Sequence, residues 1–322
     1  MFSELWPIIA SLLGVFLVIG VGSSCRLLGW VNEEADVSLA NLTAKILIPA
    51  LFADRILLGE SELSIASAWF PPLFGFGFTT LGFVLSWILA RRFGDRVGLD
   101  TDAKQRTFAL CAGICNYGFI PLPLAAQFYP EAMVDLILHN VGVDMALWSV
   151  GIYVIGGKTS WHQAVLTAPV IAVSLSLLVR SLGAVQIIPE SLMGSLHMVS
   201  LCAVPIGLML SGAILVDYLK DCRWKGSASV ILSAIAVRQC LLPVLMVGIA
   251  TAIGWSTRWM TEDMRAVIVL ESAMPAAVFP IVLVRLYNRD TSTALRVVLP
   301  TSLAGLVLVP LWLGIATWWL AP

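Results

Sequence analysis

RTFALCAGICNYGFIPLPLAAQFYP, residues 106–130, is the stretch whose reading decides the fold. It is apolar enough for a bilayer, yet its middle runs Asn116-Tyr117-Gly118-Phe119-Ile120-Pro121-Leu122-Pro123. A proline inside a helix removes a main-chain hydrogen bond and clashes with the carbonyl one turn earlier, and Gly118 loosens the same turn. Hydrocarbon offers the freed N–H and C=O groups no partner, so they must face other protein or a water-filled cavity. The stretch therefore reads as an interrupted membrane helix of the kind that lines transport sites. A kinked helix whose prolines serve packing alone is the alternative that one such segment leaves open.

A second segment, RAVIVLESAMPAAVFPIVLVRLYNRD at 265–290, repeats the pattern. Arg265 lies 159 residues after Arg106, and Pro280 lies the same 159 after Pro121. This offset sets Asn116 opposite Pro275 and Gly118 opposite Ala277. Two interrupted apolar segments in corresponding positions of two halves point to a transporter binding site.

Composition bounds the class. The chain is 59% hydrophobic and 12% charged, where soluble domains carry roughly 25% charged residues. With a mean hydropathy of +0.93, it reads as an all-α polytopic membrane protein. A net charge of −1 and the lack of any basic arm exclude nucleic acid as a partner. Six cysteines stand at 25, 111, 115, 202, 222 and 240 without a CxxC pair or a Cys/His cluster, so neither a disulfide framework nor a metal is indicated. Cys111 and Cys115 read as small packing residues on one helix face. No His-Glu-x-x-His, Gly-x-Ser-x-Gly or Walker-type loop is present, so no enzyme, ATP-driven pump or cofactor is indicated. The first apolar run, Leu5 to Leu28, follows an acidic Glu4 and is too long for a signal-peptide core, so it is expected to be a retained span.

Apolar runs of about 20 residues number ten: 5–28, 37–58, 65–90, 106–128, 134–156, 163–182, 192–216, 228–254, 264–286 and 294–319. Trp6, Trp161, Trp224, Trp255, Trp259, Trp318 and Trp319 fall near span ends, where an interfacial belt places them. Links after odd-numbered spans hold thirteen Lys and Arg, against four (Arg55, Arg180, Arg258 and Arg265) in the others. By the positive-inside rule the former are cytoplasmic and both termini face outward. Ten spans divide into repeats at 1–157 and 158–322 within one membrane domain. An odd number per half inserts the second repeat inverted, so the broken fourth and ninth spans run antiparallel and cross. The second and seventh spans correspond loosely, Ile48-Pro49-Ala50-Leu51 against Val204-Pro205-Ile206-Gly207.

Three motifs carry a resemblance. NYGFIPLPLAAQFYP resembles the Asn-x-Gly…Pro-Leu motif of the auxin efflux carrier family. AVPIGLMLSGAILV at 203–216 is similar to its seventh-helix motif, and SAMPAAVFP at 272–280 to its ninth-helix Met-Pro-x-Ala motif. The resemblance spans nearly the whole chain and implies a ten-helix carrier with a two-helix crossover, a scaffold plus a transport domain, and a homodimer. The central link is only about eight residues, Gly156 to Gln163, which is similar to the short bacterial branch of the family. That branch implies residence in the bacterial inner membrane, with both termini in the periplasm, and a dicarboxylate-type substrate in place of auxin.

The broken backbone itself favours an anion. Each second half-helix begins with free N–H groups and the positive end of its dipole. A carboxylate held there needs no formal cation. The candidate substrate-binding residues are Asn116, Tyr117, Gly118 and Pro121 in the first break, and Ser272 and Pro280 in the second. Ser211 adds a hydroxyl from the seventh span, and the resemblance adds Met274, Pro275 and Ala276. Asn116 reads equally as a helix-internal cap.

Asp144, Arg238 and Glu271 lie deep within spans, where a charge costs about 2.5–3.5 kcal/mol on insertion scales. Glu271 is a candidate for proton exchange, or a structural ion pair with Arg238. Asp144 is a coupling candidate or a polar contact between helices. Lys45 is expected to snorkel or to pair, with Asp54 or with a neighbouring helix, and His162 and His197 to be interfacial. The leading function is a secondary carrier of a small organic anion, with H+ or Na+ as coupling ion. A sodium symporter of the bile-acid type needs a cluster of oxygen ligands, and the ninth span offers mainly Glu271 and Ser272. A membrane receptor that binds a solute without moving it is the third class.

Overall fold

The computed structural model describes residues 2–58, 68–157, 166–221, 227–257 and 259–320. Among these the chain is helical, with no strand beyond one isolated bridge. In order the helices are α1 (Phe2–Leu27), α2 (Glu33–Leu58), α3 (Phe70–Val97), α4 (Asp102–Gly113), α5 (Pro121–Phe128), α6 (Met133–Ile155) and α7 (Ala168–Ser181). Then follow α8 (Glu190–Ser200), α9 (Ala203–Asp221), α10 (Ala228–Gly254), α11 (Glu262–Ala273), α12 (Pro280–Leu286) and α13 (Thr291–Leu320).

By length and composition, seven helical stretches among the described residues can cross a membrane: Ile9–Leu27, α2, α3, α6, Glu190–Asp217 through α8 and α9, α10, and Thr291–Ile315. They correspond to the first, second, third, fifth, seventh, eighth and tenth expected spans. The fourth and ninth are each divided into two short helices, α4/α5 and α11/α12. Of the sixth, the described residues form the 14-residue α7. The link expected to join the two halves, with Lys158, Trp161 and His162, lies outside the described residues, as do Trp224 and Arg258.

Packing interleaves the two halves of the sequence. One set of helices places α1 against α9 and α2 against α7 and α8. The other places α3 against α4 and α6, and α10 and α11 against α13, which also meets α4. Hydrocarbon gives helices no hydrophobic drive to associate, so close approach of small residues has to supply the contact. A Cβ on Gly142 of α6 would lie 1.9 Å from the Pro72 carbonyl oxygen, and one on Gly75 of α3 would lie 2.3 Å from that of His139. Gly22 and Gly212 bring α1 and α9 equally close, each 1.9 Å from a facing carbonyl oxygen by the same measure. Arg26 of α1 then ties this set together, pairing with Asp36 of α2 and, at 3.0 Å, with Asp217 of α9.

Asp54 is buried between α2 and α8, accepting from Ser200 Oγ at 2.8 Å and lying 3.1 Å from His197 Nδ1. Lys45, for which pairing with Asp54 was one alternative beside snorkelling, is exposed. The backbone widens into π-turns at Thr43–Leu47, Leu147–Gly151 and Ala236–Leu241. Such turns insert one residue into a helix and recur at functional sites. The third of them carries Arg238.

Candidate functional site

Both divided helices start alike. Thr101 caps α4 by accepting from Lys104 N at 3.3 Å, and Thr261 caps α11 by accepting from Met264 N at 3.1 Å. Each oxygen satisfies one of the donors that a helix start leaves free. The helices also stop alike, in extended residues: Ile114 (φ −117, ψ 136) after α4 and Met274 (φ −68, ψ 141) after α11. For Met274 the cause is Pro275, because the residue before a proline is sterically driven out of the helical region.

Pro121 and Pro280 differ from the sequence expectation of helix-interior prolines. They are the first residues of α5 and α12. At that position the missing N–H would have had no intrahelical partner, and the fixed φ already suits a helix. These prolines start the second segments, and the interruptions themselves are 114–120 and 274–279.

The two interruptions meet. Cys115 and Ala276 form an antiparallel bridge, flanked by Asn116 N–H donating to the Pro275 carbonyl at 2.8 Å and Ala277 N–H donating to that of Ile114 at 3.3 Å. Asn116 and Pro275 are the residues that the 159-residue offset sets opposite each other. An antiparallel hydrogen-bonded pair exchanges two bonds, but Pro275 has no N–H to return. Ala276 N–H donates instead to Thr301 Oγ1 of α13, at 3.4 Å. The main-chain N–H groups of Gly118, Phe119, Ile120, Val278 and Phe279 carry no hydrogen bond among the described residues. Gly118 has an ordinary φ, and a Cβ built on it meets nothing within 4 Å. It borders open space.

Two residues of α6 hold Tyr117. The phenol donates to Asp144 Oδ1 at 2.5 Å, and Asn140 Nδ2 donates to the Tyr117 carbonyl at 2.6 Å. Asn140 and Asp144 are one turn apart and so share a helix face. Phe119 turns the other way, its ring so close to α9 that a Cβ on Gly207 would lie 2.0 Å from it. Beside it a cavity of about 260 Å³ opens between α1, α5 and α9, walled by Val15, Val204, Pro205 and Leu208. Its polar side chains, Ser11 and Gln127, are hydrogen-bonded to each other.

Behind the bridge lies a buried polar cluster. Glu271 is wholly buried, and its Oε2 accepts from the Cys115 thiol at 3.0 Å. Arg238 Nη2 donates to the main-chain carbonyl of Glu271 at 3.5 Å, and no hydrogen bond joins it to the carboxylate among the described residues. Glu271 Oε1, Arg238 Nε and both side-chain polar atoms of Gln239 are buried without protein partners. Gln239 and Pro275 both line Gly305 of α13, which places the Gln239 amide beside the second interruption.

The other expected site residues separate by what they face. Met274, Pro275 and Ala276 are buried in the bridge, and Pro121 and Pro280 are buried at the starts of their helices. Ser211 and Ser272 donate to carbonyls of their own helices, those of Gly207 at 2.8 Å and Val269 at 2.9 Å. Cys115, Asn140, Gln239 and Phe119 escaped the sequence reading. The 159-residue offset could have found the first of them. Once Asn116 meets Pro275, the residue before Asn116 faces the turn of α11 that holds Glu271.

The model of a family described as membrane transport protein matches the chain over residues 7–159 and 157–313. No curated protein matches it.

Proposed function

The chain belongs to this membrane transport protein family, the auxin-efflux-carrier-like group that its motifs resemble, and from that premise we propose that it is a secondary carrier of small organic anions. One observation carries the reading: the two interrupted segments are hydrogen-bonded to each other at equivalent positions, Asn116 to Pro275. In a membrane, such backbone is tolerated where protein or a water-filled cavity receives its polar groups. Here the N–H groups of Gly118, Phe119 and Ile120 carry no hydrogen bond among the described residues, and open space borders Gly118. A carboxylate fits that place, accepting from them and from Asn116.

In this account ten spans form two inverted repeats, the fourth and ninth cross at mid-membrane, and both termini face the periplasm across the inner membrane. The set of α3, α4, α6 and α10–α13 moves against the set of α1, α2 and α7–α9, opening the crossover to one side and then the other. The α1/α2/α7–α9 set is the face available for a homodimer. Coupling is to H+ in preference to Na+, because a sodium ion needs a cluster of oxygen ligands and the Ser272 hydroxyl beside Glu271 is turned to the Val269 carbonyl.

A thermal-shift series on the purified protein tests the reading, because a ligand that binds the native state raises its apparent stability. Unbranched mono- and dicarboxylates are expected to raise Tm, by the equivalent of about 2.7 kcal/mol at a hundred times Kd. Shifts by neutral solutes of the same size, with none from carboxylates, would remove the anion assignment.

A further inference from the structure

The side chains of Glu271, Arg238, Cys115 and Gln239 make none of the main-chain bonds that pair the two interruptions, yet all four are buried against them. A guanidinium stays charged at every physiological pH, and a buried charge is kept only where an opposite charge or strong hydrogen bonds answer it. Arg238 is answered weakly: one main-chain carbonyl at 3.5 Å, and nothing at Nε. The group whose charge can answer it is the Glu271 carboxylate, since the Cys115 thiol is neutral. Glu271 is equally under-satisfied, with Oε2 on the Cys115 thiol and Oε1 unpartnered. The two residues therefore balance each other in net charge without a direct bond between carboxylate and guanidinium. Such an arrangement can lose one charge without breaking a contact.

We infer that Glu271 and Arg238 form a proton-gated anion switch behind the crossover: protonation of Glu271 leaves the Arg238 charge uncompensated, and that charge then holds the substrate carboxylate at the paired interruptions. With Glu271 ionised the cluster is neutral, and an arriving anion meets the Glu271 charge as well as the open N–H groups. When one proton moves from solvent to a Glu271 oxygen, the cluster becomes singly positive, and a singly charged substrate group restores neutrality. The Cys115 thiol donates to Oε2 in both states, and Cys115 is itself a member of the bridge, so one side chain links the carboxyl to the crossover. This deepens the carrier reading and rests on it: anion and proton travel together because the site is electrically balanced only with both or with neither.

The other charged and titratable groups on the elements packed around Glu271 are few. From the first interruption and α6 come Tyr117 with Asp144, bonded to each other, and the neighbouring His139. Asp135 stands in the first turn of α6, and α5 carries no charged residue. Arg238 is the charged residue of α10 in the π-turn, and Arg296 is the charged residue of α13. On α11 itself, Glu262, Asp263 and Arg265 are in the first turn, away from the interruption. Of these groups, Arg238 is the one whose charge acts on the Glu271 carboxyl directly.

The test is calorimetric titration of the full chain in detergent, using the tightest binder among unbranched mono- and dicarboxylates from acetate to glutarate. Titrations in buffers of differing ionisation enthalpy count the protons taken up per anion. At pH values high enough to ionise Glu271 in the free protein, where the probes are ionised too, about one proton is expected per anion bound, and affinity should fall about tenfold per pH unit. Glu271→Gln, a neutral side chain of the same shape, should bind near the wild-type low-pH affinity at every pH and take up no proton. Arg238→Gln should bind weakly at every pH. If that variant fails to fold, the proton count in Glu271→Gln still decides. Binding with no proton uptake, or uptake that persists in Glu271→Gln, overturns the switch and leaves the carrier standing. Absence of binding by every probe overturns both.

Discussion

Gly118 owes its place neither to a left-handed backbone nor to a crowded contact, since its φ is ordinary and no atom stands within 4 Å of a built Cβ. A larger side chain therefore has room in the protein and competes only with what enters from outside. Gly118→Leu is expected to fold with wild-type Tm and to abolish carboxylate binding by calorimetry, while Gly118→Ala keeps most of it. A Tm loss in Gly118→Leu comparable to a core change would mean that the space is not open. Tyr117 makes the complementary case. Tyr117→Phe removes the donor to Asp144 and should cost about 1–3 kcal/mol of substrate affinity or stability, because a part-buried carboxylate loses its partner. Asn140→Ala, which frees the Tyr117 carbonyl, should act in the same range; wild-type affinity and Tm in both variants would show that the clamp is idle.

Among elements, the two divided helices were legible because proline and glycine interrupt apolar runs visibly, and because the offset between them is constant. The start of the first interruption was not. The sequence reading placed the disturbance at the prolines, whereas α4 already stops at Gly113, where the chain leaves to pair with residues far along the sequence. Pairing partners set that boundary, and no local signal encodes them. The same reason hid Cys115, whose small apolar character gave no hint of a carboxylate 3.0 Å away.

Two element-scale consequences follow from the geometry. Pro275→Ala should return an N–H that can complete the pair with Asn116, and it should release Met274 to extend α11; folded yield is retained while uptake into liposomes falls roughly tenfold or more, the equivalent of about 1–3 kcal/mol. Uptake at the wild-type rate would count against the interruption as the site. For the packing of α3 on α6, Gly142→Ala would drive a Cβ to 1.9 Å from the Pro72 oxygen and should destabilise by about 1–3 kcal/mol in thermal unfolding. Gly77→Ala on α3, with nothing within 4 Å, is the control. Equal Tm values for the two variants would contradict the close approach.

At the scale of the whole molecule, the sequence told more about class than about assembly. Composition alone placed the chain in a bilayer, and seven described stretches meet the length and apolarity of a span. The interleaving of the halves was not legible, because helix partners such as α1 and α9 are chosen by glycines that meet only after folding. Orientation rests on the charge bias, and it predicts a periplasmic reporter after Pro322 and a cytoplasmic one near Lys158. Both reporters on one face would remove the inverted repeat.

The central claim, that the paired interruptions carry an anion across the membrane, is tested most directly by counterflow. Liposomes bearing the protein are loaded with an unlabelled carboxylate from the acetate-to-glutarate series and placed in a trace of the same compound labelled. The account predicts transient accumulation of label inside, driven by outward exchange, and its loss in Gly118→Leu reconstituted at equal density. Binding without counterflow, or counterflow unchanged in Gly118→Leu, would contradict it.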